Sequence, residues 1–481
     1  MNNSLGLSSV SSESLLTAEI DGKLVKILKD FEEVNNTVVL YGADDWSCDG
    51  LSVKTLYDFM RMKGIDVLKV IFSNILYEVV DLESVEFNIN NFKVSKFIVS
   101  KERSLMKNKV LFASESVTSG HPDKVCDQIA DAILDEALKR DAKAHMAVEA
   151  TIKNNKIFIY GEGNYNSPNE IDYASVAKSV MRKIGYHENY DVIVEVSKQS
   201  EEINSLVSSA GDDFGAGDQG IIFGYACSET RSLMPLSIDL AHKLAQELEN
   251  QRRTNANTVL LPDGKTQVCV EYEDESRNKI KRIDSILVST QHRDVNMALV
   301  REEVKKCIDR VLIREGVKDL AEDTKIMINP MGSFVVGGSF GDSGTTGRKI
   351  VVDTYGGHAK IGGGCFSSKD PSKVDRSAAY YARYVAKNIV AADLASRCEI
   401  QVSYGIGMEQ PLSLHIECFG TNKVSIEDIY NIVDVNFDFR PCSMIEELNL
   451  RNPIYFKTAS YGHFGREEFP WEKIIKLKIN K

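Results

Sequence analysis

After Pro122, apolar side chains return every fourth position, at Val125, Ile129 and Ile133. That spacing predicts a helix starting here, with His121 as its cap and Asp123 and Lys124 in its first turn. Further helices are predicted over "ASVAKSVMRKIGY" and "MALVREEVKKCIDRVLI", and strands over "IDSILVSTQH" and "EIQVSYGIG". The alternation in "HMAVEATIKNNKIFIYGEG" predicts a hairpin turning at Asn154-Asn155. Upstream, "GKLVKILKDFEEV" reads as an amphipathic helix, "NTVVLYG" as a strand, "SVKTLYDFMRMKG" as a helix and "IDVLKVIF" as a strand. Strand and helix signals alternate through most of the chain, so the class is α/β.

The chain has 481 residues, enough for about three domains. All ten prolines lie at or after Pro122, and composition changes near the polar run 100–109. This places a boundary after a small α/β unit spanning 1–105. A net charge of -12 excludes nonspecific nucleic-acid binding through a basic surface. Any anion site must therefore gather Lys and Arg into one pocket. Nine scattered cysteines without a CxxC pair predict reduced thiols in a cytoplasm. The first residues, "MNNSLGLSSVSSESLL", lack the basic and apolar regions of a signal peptide, and no run of about 18 apolar residues predicts a membrane span.

A lysine in the first turn is disfavoured by the helix dipole by some tenths of a kcal/mol. The same arrangement returns in "GGGCFSSKDPSKVDRS" (362–377), where Asp370 reads as a cap, Pro371 as the first helical residue and Lys373 as first-turn, with Lys369 just ahead. Two helix starts carrying lysines, one behind three glycines, make sense where a polyanion completes the site. "GGSFGDSGTTGRKIVVDTYGG" (337–357) is a third glycine-rich stretch, with Arg348 and Lys349 reading as entering a strand and Asp342 and Asp353 nearby. "GAGDQG" (215–220) brings Asp218 between glycines. Cations beside carboxylates and glycine turns are what a nucleoside triphosphate with Mg²⁺ requires.

"GHPDK", "GAGDQG" and "GGGCFSSKDPSKVDRS", in that order, closely resemble the methionine adenosyltransferase (S-adenosylmethionine synthetase) family. The resemblance runs from about Val110 to Lys473, through "INPMGSFVVGG", "IVVDTYGG" and "YGHFGREEFPWEK". It implies synthesis of S-adenosylmethionine from ATP and L-methionine, with the triphosphate cleaved to phosphate and pyrophosphate before release. It implies two Mg²⁺ per site and K⁺. It implies three similar subdomains (108–205, 214–333 and 334–475) related by approximate threefold symmetry, in homodimers or dimers of dimers with shared active sites. His121, Lys124, Lys265, Arg348, Lys349 and Lys369 match the residues around the phosphates and leaving oxygen. Asp263, Ser333, Phe334, Asp342 and Cys365 complete the ATP site, with Phe334 at the adenine-stacking position. Glu162, Gln199, Asp218, Asp342 and Lys373 match the methionine site; Asp123 and Asp375 match Mg²⁺ ligands, Glu149 the K⁺ ligand, and Glu115 is a candidate further ligand.

Cys365 stands where the family's usual motif has Ala, Ser368 where it has Gly, and Ser333 where some relatives carry Arg. Residues 199–214 match the family's mobile loop. The family does not usually carry the first 105 residues, which resemble the opening of a glutaredoxin-like domain with Cys48 as the thiol, or serve as an appendage or docking module. A tripolyphosphatase and a non-catalytic regulatory homologue are the competing readings. The methionine residues argue against the first, and the retained His121, Asp123, Lys349, Lys369 and Asp375 against the second.

Overall fold

The computed structural model describes residues 109–167, 170–198 and 215–479, together with six strands and a few helical positions of the preceding segment. The chain divides into two units, Met1–Lys109 and Val110–Lys481.

The first unit forms a closed barrel of six strands in sequence order: β1 (Leu15–Ile20), β2 (Lys23–Val34), β3 (Thr37–Ala43), β4 (Leu68–Phe72), β5 (Ile75–Val85) and β6 (Val94–Lys101). β3 lies parallel to β4, with Thr55, Leu56, Asp58, Phe59 and Met62 helical between them. The strands expected over "NTVVLYG" and "IDVLKVIF" are present. The helix expected over "GKLVKILKDFEEV" is not; that stretch is β2. Only two residues, Asp21 and Gly22, separate β1 from β2, and only Asn35 and Asn36 separate β2 from β3. Such dipeptides favour hairpins, and pairing on both sides overrides the helical period. Cys48 lies outside the described residues.

The second unit contains three sheets, each backed by one long helix. The first has order β10 (Asp191–Ser197), β9 (Lys156–Asn164), β8 (His145–Lys153), β15 (Gly344–Thr345). It packs on α1 (Pro122–Arg140), beside α2 (Tyr173–Ile184). The second has order β14 (Lys325–Ile328), β13 (Ile280–His292), β12 (Leu260–Tyr272), β7 (Val110–Val117), under α3 (Leu236–Thr254), with α4 (Met297–Arg314) against α3. The third has order β11 (Gly220–Cys227), β16 (Arg397–Tyr404), β17 (Ser413–Glu417), under α5 (Val374–Ala391).

The lobes exchange strands. β7 joins β12, β11 joins β16, and the two-residue β15 joins β8. Sheets and contiguous sequence segments therefore do not coincide, and the loops around 342–349 and 362–370 are drawn across the start of α1. That helix is a rigid base. Val125, Ile129, Ile133, Leu134 and Ala137 are buried, the four larger side chains each contributing about 1.5–3 kcal/mol. The hairpin turns at Asn154, whose φ is 52°, as its sequence predicts. Cys126, Cys227 and Cys398 are buried core residues.

Candidate active site

His121 caps α1, and its Nδ1 accepts the Asp123 N–H at 3.2 Å. An imidazole that accepts at Nδ1 carries its proton on Nε2. Burial, then the charges of Lys349 and Lys265, hold its pKa down to about 3. The ring is therefore neutral at physiological pH.

Asp123 follows in the first turn. Its Oδ2 accepts from Lys349 Nζ at 2.6 Å and its Oδ1 from the Thr345 N–H at 3.0 Å, with Arg348 at 3.6 Å. Burial opposes ionisation of Asp123, but the Lys349 and Thr345 hydrogen bonds outweigh it and lower the pKa. Gly344 permits this geometry: a Cβ there would lie 2.1 Å from the Pro122 carbonyl oxygen. Arg348 is 55% exposed. Arg348 and Lys349 do not enter a strand as expected; Lys349 opens a one-turn helix over Ile350–Asp353. That turn is held because its Asp353 closes back onto α1.

Lys124 departs most from expectation. It is buried under the helix start rather than open to a ligand. Its ammonium has no exposure and is bound by Asp127 at 3.0 Å and by Asp353. Desolvation disfavours the charge, but the two carboxylates more than compensate and raise its pKa. The helix start carries a lysine because two buried carboxylates hold it.

A second pair joins the loop before α5 to the first turn of that helix. Lys369 Nζ sits 2.5 Å from Asp375 Oδ2. The Asp375 carboxylate packs directly on Gly364, where a Cβ would sit 2.1 Å from its carboxyl carbon and push that side chain aside. Asp370 and Pro371 do not begin the helix; α5 begins at Val374 with Lys373 as its cap residue. Asp370 is drawn elsewhere: its carboxylate accepts from the Met146 N–H at 2.7 Å and the Ser372 N–H at 2.8 Å, and its own N–H donates to Met146 O. Lys373 turns back onto Asp370 at 2.5 Å. Cys365 is half-buried; burial raises its thiol pKa and Lys369 opposes this.

The remaining positions fall around these pairs. Phe334 is pinned by reciprocal bonds with His292: His292 N–H donates to Phe334 O at 3.0 Å, and Phe334 N–H donates to His292 Nε2 at 2.9 Å. Its neighbour Ser333 is exposed. Asp263 accepts the Gly338 N–H at 2.8 Å, and burial lifts its pKa to about 6. Lys265 and Glu115 stand on one open face of the second sheet, in adjacent cross-strand rows. Asp342 is exposed, and its charge bears on His121. Glu162 and Glu149 share a face of the β8–β9 hairpin, where Glu149 accepts the Tyr160 hydroxyl at 3.2 Å. Asp218 is exposed at the start of β11. Gln199 and the expected mobile loop 199–214 lie outside the described residues.

The sequence reading passed over a carboxylate ladder on α1: Asp123, Asp127, Asp131 and Asp135, all buried. Asp127 holds the Gly347 N–H at 2.8 Å. Asp131 binds Arg376 through two bonds of 2.8 Å and receives the Ser367 hydroxyl, and Arg376 donates to the Lys369 carbonyl at 3.0 Å. Asp135 takes the Tyr455 and Phe456 N–H groups. One helix face thus fixes both lysine-bearing loops, around Lys349 and Lys369. The four-residue spacing of aspartates was the available signal. Among the described residues no three His, Cys, Asp or Glu side chains converge as a metal cage, and no helix is long and apolar enough to cross a membrane.

Three family models match consecutive stretches of the chain. The N-terminal domain of S-adenosylmethionine synthetase matches residues 109–208, the central domain 213–334, and the C-terminal domain 336–473.

Proposed function

The chain belongs to the S-adenosylmethionine synthetase family, and from that premise we propose how its own residues carry the reaction. The enzyme makes S-adenosylmethionine from ATP and L-methionine. The thioether sulfur is neutral and carries no proton, so its attack on C5′ of ATP needs no general base. The barrier falls through alignment and through stabilisation of charge on the departing triphosphate. The observation that carries our assignment is the pairing of two lysines with two carboxylates, Lys349 with Asp123 and Lys369 with Asp375, each beside a glycine close approach. Each pair supplies a cation for phosphate oxygens and a carboxylate for a metal. Arg348 and Lys265 add positive charge, and neutral His121 donates from Nε2 to the leaving oxygen without competing for a proton. Lys124 acts through Asp127 and Asp353, which set the helix start and the loop before it.

Asp123 and Asp375 are hard oxygen donors, and Mg²⁺ binds through one or two carboxylates plus substrate phosphates rather than in an all-protein cage. The residues present fit the ion, which when bound neutralises charge on the phosphate oxygens. We assign K⁺ to Glu149. Phe334, Asp263 and Ser333 line the adenosine side, and Glu162, Asp218, Asp342, Lys373 and Gln199 the methionine side. The triphosphate is then cleaved to pyrophosphate and phosphate in the same cradle.

We place each active site between two chains in a reducing compartment such as the cytoplasm. Supporting this, Ile193 is 47% exposed on the face of the first sheet shared with Phe158, as sheet-on-sheet packing with a second copy requires, and the eight described cysteines are free. Co-expression of His121→Asn chains with Lys369→Ala chains tests the shared site. If the two residues act from opposite chains, each mixed dimer carries one intact site of two, and a randomly paired population, about half of it mixed dimers, recovers about a quarter of wild-type activity. No recovery in verified mixed dimers contradicts it.

A further inference from the structure

A groove of about 400 Å³ lies behind the start of α1, between the C-terminal ends of α2 and α3 and residues 456–466. Four cations line it: Lys183, Arg253, Lys457 and Arg466, against the single carboxylate of Glu249. Two of the cations are committed. Arg253 is held by Glu249 and donates to the Lys183 carbonyl, and Arg466 binds Glu468 and the carbonyls of Lys457 and Ser460. The other two, Lys183 and Lys457, are exposed and have no carboxylate partner among the described residues; Lys183 sits 5.0 Å over the Phe456 ring. In a chain of net charge -12, two unneutralised ammonium groups beside two arginines are a local excess.

The uncharged lining adds donors. Ser119 is buried at one wall, and its hydroxyl has no hydrogen-bond partner. Its N–H donates to Tyr461 Oη at 3.2 Å, which leaves the Tyr461 hydroxyl proton to donate in turn. A buried hydroxyl without a partner is unfavourable unless something completes it. Phe456 and Tyr461 add aromatic surface, and the volume is that of a small-molecule site. None of these residues belongs to the cradle described above.

We propose that this groove binds a small phosphate monoester, its phosphate held by Lys183, Lys457, Ser119 and Tyr461 and its organic part against Phe456. The charge selects the ligand class: two free ammonium groups match a phosphate monoester, which carries about -1.5 to -2 at neutral pH. The site also abuts the catalytic helix. Gln128 bridges the carbonyls of Ser119 and Lys124 at 2.7 and 2.8 Å, and Ser119 lies two residues before His121.

Calorimetric titration of the full chain with phenyl phosphate tests this, with the catalytic site filled by Mg²⁺ and a non-hydrolysable imidodiphosphate analogue of ATP. The wild type should bind one phenyl phosphate per chain. The double variant Lys183→Gln/Lys457→Gln should bind it at least about tenfold more weakly, the effect of losing charge-assisted contacts, while its S-adenosylmethionine synthesis stays unchanged. Absence of saturable binding to the wild type, or equal affinity in the double variant, overturns the proposal.

Discussion

Replacing Lys124 by Met decides between a lysine that touches phosphate and one that holds the helix start. Lys124 is fully buried between Asp127 and Asp353. Its removal leaves two carboxylates in the interior without a cation, and breaking a buried pair from one side costs about 3–5 kcal/mol. That cost must depend on pH. Burial already raises the pKa of Asp353 to about 7 with Lys124 beside it, above the ordinary value of 3.8. Without the lysine it rises further. A carboxyl with a higher pKa in the folded state holds its proton there after the unfolded chain has lost it, so stability falls as pH rises. In the variant this decline extends through neutral pH. The deficit against wild type should therefore be about 3–5 kcal/mol at pH 8.5 and smaller by about 2 kcal/mol or more at pH 5.5. Urea unfolding at the two pH values measures both. A deficit below about 1 kcal/mol that does not change with pH, alongside abolished activity, refutes the buried-triad account and returns Lys124 to the phosphates.

Ser368 has φ 85°, the left-handed region that glycine favours, so Ser368→Gly should stabilise the fold by about 0.5–1 kcal/mol, relief of strain exceeding the entropic cost of glycine; a loss of stability at the urea midpoint contradicts this. His358 is buried, and desolvation followed by Arg277 and Arg397 lowers its pKa to about 3. Below pH 6.5 the unfolded chain takes up a proton that the folded chain refuses, so this residue drains about 2 kcal/mol of stability between pH 6.5 and 5. The deficit of His358→Asn against wild type should shrink by that amount over the same interval, and a constant deficit contradicts the assignment. Asp375→Asn should raise the Mg²⁺ concentration for half-maximal rate by about tenfold or more, read from a Mg²⁺ titration of initial rates; an unchanged Mg²⁺ dependence removes Asp375 from the metal site.

Local signals reached far in this chain. The stripe after Pro122 and the cap at His121 gave the start of α1, and the Asn-Asn turn gave the β8–β9 hairpin. What they missed depends on contacts distant in sequence. Lysine at a helix start looks the same whether it meets a phosphate or two buried aspartates, and Asp353, one of those aspartates, lies 229 positions away. Asp-Pro resembles a helix start, but Asp370 is captured by the edge of β8. The pattern of "GKLVKILKDFEEV" has a helical period, yet two-residue connections on either side commit it to a barrel strand. The strand exchange that draws β7, β11 and β15 into sheets of other segments leaves no local mark. The glycine positions were legible as turns, but their closer purpose was not: Gly344 admits the Pro122 backbone where a Cβ cannot fit, and Gly364 leaves room for the Asp375 carboxylate.

The central claim is that the Lys369–Asp375 and Lys349–Asp123 pairs carry adenosyl transfer. It is tested most directly by incubating purified wild-type and Lys369→Ala proteins with ATP, L-methionine, Mg²⁺ and K⁺, and quantifying S-adenosylmethionine by mass spectrometry. Lys369 is 22% exposed, so the variant should keep its fold, checked by its unfolding midpoint. We expect S-adenosylmethionine with equal phosphate and pyrophosphate from the wild type, and a rate lower by about a hundredfold or more from the variant. Wild-type rates in the folded variant contradict the account.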